Sequence, residues 1–123
     1  MGAEAAEARL SRLVAQGSLD FSAHASVSNA AAPGVLVRTT TPTCLVRVTD
    51  VIIYNAHAGA AVITLYDEDS NIYFVTSLAA GETIDADFKS SLVYGIHNIY
   101  ARTDQVTNAE VTVSGKEIPP RWQ

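Results

Sequence analysis

The chain is 123 residues long and 48% hydrophobic, with eight basic and thirteen acidic side chains and a formal charge of −5. That is length for one domain with an appendage and apolar content for a real core, so a wholly disordered chain is excluded. The acidic balance argues against nucleic acid and anionic membranes as partners. The single cysteine rules out an intrachain disulfide and a cysteine-based zinc cluster.

Glu4 and Glu7 stand where a secretory signal carries basic residues. No apolar run approaches the roughly 20 residues that span a bilayer. The chain is therefore expected to act in the cytosol, or to be assembled in a cell and released inside a particle.

Residues 3–16 lack Gly, Pro, Asp and Asn and are rich in Ala, Glu, Arg and Leu. Ala6, Leu10, Leu13 and Val14 recur at spacings of three and four, which predicts a short helix with one apolar stripe, ended by Gly17. Such a helix is marginal alone, so Leu10 and Leu13 need a surface to rest on. Residues 17–34 read as a linker with Leu19, Phe21 and Val27 as its sizeable apolar residues and a turn at Pro33-Gly34. Residues 1–34 are thus expected to form an N-terminal helix and extended arm, lying along the domain or along a neighbour with Phe21 as its anchor.

From Val35 the pattern changes. Segments 35–39, 44–55, 61–66, 72–77, 83–88, 92–94, 98–103 and 109–114 are rich in Val, Ile, Thr, Tyr or Phe and are separated by turn residues. No helical stretch of about ten residues interrupts them, which removes a βαβ fold. Ile63 and Leu65 oppose Thr64 and Tyr66, and Ile84, Ala86 and Phe88 oppose Asp85 and Asp87. Residues 44–55 are long for one strand, and a bulge near Asp50 would divide them. Val51, Ile52 and Ile53 put apolar groups on both faces there, so the run is a central strand or one whose outer face meets another subunit, with Val51 and Ile53 as the candidates for that contact. The prediction is an all-β protein: an antiparallel β-sandwich, jelly-roll-like, over 35–118, with a small closed barrel as the alternative. Residues 119–123 form a stiff C-terminal tail, in which Trp122 is a further docking candidate.

The residues of chemical interest form no catalytic pattern. His24, His57 and His97 have no ligand spacing. The acidic run from Asp67 to Asn71 offers oxygen ligands, but the sixth place is Ile72, where a calcium loop needs glycine. A solvated hairpin turn is the other reading of that run. Cys44 reads as a small core residue. No glycine pattern cradles a phosphate, and no nucleophile elbow occurs. No catalytic residue, metal or cofactor is assigned. Tyr54, Tyr66, Tyr73, Tyr94, Tyr100 and Trp122 could line the sandwich or form a sugar-stacking platform, and both uses stay open.

The cadence Ile63-Thr64-Leu65-Tyr66-Asp67, then Leu78-Ala79-Ala80-Gly81, Asp87-Phe88, Leu92-Val93-Tyr94-Gly95 and Val111-Thr112-Val113 resembles small β-sandwich virion structural proteins of tailed phages, over about residues 45–118. The resemblance implies a non-enzymatic decoration or cement protein of the capsid, or a neck or tail component, located in the virion. It implies a homo-oligomer, a trimer in particular, with itself and other particle proteins as partners. The helical 3–16 piece departs from that cadence. Leu10, Leu13, Phe21, Val51, Ile53 and Trp122 are the interface candidates. A carbohydrate-binding module is the rival reading. A metal-dependent enzyme would require Asp67, Asp69, Asp85 and Asp87 to converge.

Overall fold

The computed structural model describes residues 19–40, 44–88, 93–96 and 98–119. The expected helix of 3–16, with Leu10 and Leu13, and the tail position Trp122 lie outside the described residues.

The described chain is all β. Its strands are β1 (Leu19–Val27), β2 (Val35–Thr39), β3 (Leu45–Asn55), β4 (Ala61–Tyr66), β5 (Ile72–Leu78), β6 (Thr83–Asp87), β7 (Val93–Ile96), β8 (Asn98–Thr103) and β9 (Ala109–Ile118). One sheet has the order β1-β9-β3-β6, with β7 beside the first half of β3. The other sheet has the order β2-β8-β4-β5. All pairings are antiparallel. The two sheets face each other as a sandwich, which removes the closed-barrel alternative.

Alternation builds the core. Val46, Val48, Val51 and Ile53 of β3, Val111 and Val113 of β9, Ile63 and Leu65 of β4, and Ile99 and Ala101 of β8 are fully buried between the sheets. Burying a side chain of this kind stabilises the fold by about 1.5–3 kcal/mol. The register of β3 against β9 shifts between Val48 and Asp50. That is the bulge expected near Asp50, and it lets both halves of an eleven-residue strand face the same core. Strand β9 runs on to Ile118, four residues past the expected segment, because Gly115 and Glu117 continue its inward face without being apolar. A Cβ at Gly115 would overlap the Arg47 carbonyl and crowd the Phe21 ring, so only glycine fits there.

Two expectations are corrected. Residues 17–34 are not simply a linker, because β1 pairs with β9 over its whole length, from Leu19 opposite Glu117 to Val27 opposite Ala109. The boundary drawn at residue 34 therefore cuts through the sandwich. The physical reason is a period of two: Phe21, Ala23, Ala25 and Val27 turn inward, while Asp20, Ser22, His24 and Ser26 face water. Val51 and Ile53 are also not on an outer surface. Both are fully buried in the protein's own core, and the residue between them, Ile52, is the one that faces out.

Candidate assembly surface

The outer faces of the two sheets differ in chemistry. On the β1-β9-β3-β6 sheet the register rows run Ser22–Ser114–Asp50–Asp87 and His24–Thr112–Ile52–Asp85. Ser114 Oγ donates to Ser22 Oγ at 3.2 Å, and the His24 ring sits 3.0 Å from Thr112 Oγ1 and 3.3 Å from Glu110 Oε1. This is an outer face built for water, broken by Ile52 and Tyr54.

On the β2-β8-β4-β5 sheet one row crosses all four strands as Leu36–Tyr100–Tyr66–Ile72. The next row holds Arg102, Thr64 and Val75, and Val62 lies opposite Ser77 beyond it. Leu36, Ile72 and Val75 are 45%, 59% and 53% exposed. Thr64 and Tyr66 point outward, opposite the core residues Ile63 and Leu65, yet are buried. Directly opposed side chains lie about 4.5–5.5 Å apart, so Tyr100, Ile72, Arg102 and Val75 flank these two positions. The result is an apolar outer face centred on a tyrosine pair.

The edges of the sandwich differ as well. At one seam β1 and β2 lie side by side, and the Arg38 guanidinium stacks over the Phe21 ring at 4.5 Å. Arg38 Nη2 also donates to Glu117 Oε1 at 2.8 Å, so the seam is pinned by a largely buried ion pair. Phe21, an interface candidate in the sequence, is an anchor on its own domain: it packs here against the core. At the opposite seam Phe74 of β5 meets Phe88 edge to face at 5.4 Å. Strand β5, the outer strand of its sheet, carries no charge from Ile72 to Leu78, whereas β6 carries Asp85 and Asp87.

The other candidate residues resolve into structural roles. Asp67 caps its own turn: Oδ1 accepts from the Asp69 and Asn71 N–H groups at 2.9 Å each, and Oδ2 accepts from the Asn71 amide at 3.1 Å. Burial pushes this carboxyl upward, but hydrogen bonds from the Asn71 backbone, the Asn71 side chain and the Asp69 backbone hold it below the ordinary aspartate value. Asp69 lies in this turn of one sheet, and Asp85 and Asp87 on β6 of the other. Among the described residues no group of three or more His, Cys, Asp and Glu side chains is placed to hold a metal ion. Cys44 is buried, and burial together with the Glu117 charge pushes its thiol upward. Tyr73 is largely buried, its phenol is pushed well above the ordinary value by burial and by the Asp67 charge, and its hydroxyl has no partner among the described residues.

Asn55 is a site the sequence reading passed over. Its buried amide donates to the carbonyls of Gly59, Leu78 and Ala79 at 3.0, 3.1 and 3.0 Å, and its Oδ1 accepts from the His57 N–H at 3.0 Å. It ties the β3–β4 and β5–β6 turns together at one end of the sandwich. An asparagine closing a strand two residues before a histidine-alanine-glycine turn was the only local signal.

No family model matches the chain, and no curated protein matches it. A solved structure of Bacillus endospore appendages, described as a family of disulfide-linked pili, matches with a TM-score of 0.53 at 9% identity, over 82% of this chain and 86% of that one. At that identity the likeness shows a shared fold. Fold and surface together define a two-sheet antiparallel sandwich with one polar and one apolar outer face.

Proposed function

We propose that this chain is a non-enzymatic structural subunit of a phage particle, acting through protein–protein contacts in the capsid, neck or tail. One observation carries the reading: the apolar row Leu36–Tyr100–Tyr66–Ile72 across the outer face of a whole sheet. An antiparallel sheet usually gives such a face to water with alternating polar residues. A contiguous apolar face marks a contact surface. The strand order supports the finer fold reading, a jelly roll, if β7 is taken as an added strand; jelly rolls recur in viral capsid proteins and in lectins. The sequence cadence over residues 45–118 favours the particle, and with it a trimer and a place in the virion.

A filament subunit is the second reading, favoured by the likeness to pili. It cannot be disulfide-linked in the same way. One cysteine per chain forms at most one disulfide, which stops at a pair, and Cys44 is buried. A sugar-binding platform is disfavoured because Tyr66 is only 8% exposed, Tyr73 is largely buried and Tyr54 lies on the other sheet.

The test is mass spectrometry and immunogold labelling of particles purified from cells that carry the gene. The reading expects many copies of the chain in each phage particle. The same label on extracellular filaments supports the second reading. A chain found free in the cytosol and absent from both overturns the structural role.

A further inference from the structure

We propose that β5 is a self-pairing edge, at which two copies of this chain join antiparallel, Val75 opposite Val75 of the second copy, to make one continuous eight-stranded sheet.

Among the described residues no strand pairs with the outer side of β5. An exposed edge of this kind is a template for another chain, and proteins usually blunt it with charge, proline or a cover. Among the described residues the outermost strands are β1, β6 and β7 of one sheet and β2 and β5 of the other, and β7, at four residues, is too short to be a template. Strand β6 carries Asp85 and Asp87, and β6 against itself would bring like charges together. Strands β1 and β2 close on each other through the Phe21–Arg38 stack. Arg102 Nε donating to the Ala30 carbonyl at 2.8 Å and the Thr103 N–H donating to the Ser28 carbonyl at 3.1 Å hold the connection between them against β8. Strand β5 reads IYFVTSL, without charge, proline or glycine; it bulges at Tyr73, and from Phe74 to Leu78 it pairs regularly with β4.

The occupant follows from charge and register. A net charge of −5 makes two copies repel wherever their acids meet, and β5 offers seven positions without an acid. The antiparallel register centred on Val75 keeps its central stretch, Phe74 to Thr76, clear of the β5 bulge at Tyr73. It sets Phe74 opposite Thr76 of the other copy on either side of Val75, and every position from Ile72 to Leu78 is uncharged, so no charge faces a charge. The two-fold axis of such a pair is normal to the sheet. Both apolar outer faces then lie on the same side, and Ile72 and Val75, the most exposed apolar residues of that face, sit at or beside the junction. The contact is isologous and closes at two. It can join trimers as well as single chains. So short a strand pair falls below the roughly 1,200 Å² low end of specific interfaces, so an isolated pair associates weakly and is reinforced inside an assembly.

This inference rests on the reading of the chain as an assembly subunit, and its test can fail separately. In a Cys44→Ala background, Val75→Cys and, as the control edge, Asp85→Cys are oxidised at high protein concentration and run on a non-reducing gel. Val75 faces its own symmetry mate, so a single cysteine suffices. The expected result is a disulfide-linked dimer from Val75→Cys in at least about tenfold the yield from Asp85→Cys. Because Val75 is exposed, Val75→Lys should fold normally by circular dichroism and weaken self-association by about tenfold or more in light scattering, as it sets two like charges face to face. Equal dimer yields from the two edges overturn the pairing. Oligomers that persist unchanged in Val75→Lys also overturn it, and leave the structural role standing on a different contact.

Discussion

The two sheets share one core and present opposite exteriors. Behind both lie the same buried valines, isoleucines and leucines, yet one outer face carries Ser22, His24, Thr112, Asp50 and Asp85, and the other Leu36, Tyr100, Tyr66, Ile72 and Val75. The inner faces answer to folding, which only needs apolar groups at period two. The outer faces answer to whatever lies beyond the molecule. A second contrast runs along the edges: β6 is acidic and β5 uncharged, although both are outermost in their sheets on the same side of the sandwich.

The largest effect tests which side of β3 is inside. Ile53→Ala should cost about 3 kcal/mol in urea denaturation, since the side chain is fully buried, while Ile52→Ala one residue away should stay within about 1 kcal/mol. Equal effects would mean that the inside and outside of this sheet have been interchanged. Asn55→Ala comes next. It removes the amide that joins the turns of both sheets and leaves buried carbonyls unpaired, for a loss of about 2–3 kcal/mol. Its mark should be faster amide exchange at Gly81 and Glu82 before global unfolding.

Much of this arrangement was legible in sequence. Strands β2, β4 and β8 have the bounds their composition predicted, because turn residues delimit them sharply. Strand β1 was missed because half its inward positions are alanine, so the period of two is present but its amplitude is low. The run from Val51 to Ile53 is the central strand that was one of its two readings, but Val51 and Ile53 fail as contact candidates: three apolar residues in a row hide the alternation, and only the exposure of Ile52 reveals it. The Arg38–Glu117 pair was out of reach, since its members are 79 positions apart and meet only when β2 and β9 enclose one end of the core. The apolar outer face was partly legible: the tyrosines stood out, but the row they form depends on strand order.

Smaller effects sharpen the contrast on the apolar sheet. Tyr73→Phe deletes a buried hydroxyl without a partner among the described residues, so the variant should be as stable as the parent or about 1 kcal/mol more stable. A clear loss of stability would show that the hydroxyl is satisfied. The Asp67 turn should respond to acid. Its carboxyl titrates lower in the folded chain than in the unfolded one, so its contribution is complete above the ordinary aspartate range and is lost as pH falls through the folded value. The stability difference between the parent and Asp67→Asn should therefore shrink on acidification and stay flat near neutrality.

The uncharged edge and the apolar face of one sheet are proposed as a contact between copies. Hydrogen–deuterium exchange of the Ile72–Leu78 amides against the Thr83–Asp87 amides, at low and at high protein concentration, tests it most directly. Amides of β5 should slow by about tenfold or more as the concentration rises, while those of β6 should not change. Exchange that is independent of concentration in both strands, or slowed equally in both, would contradict it.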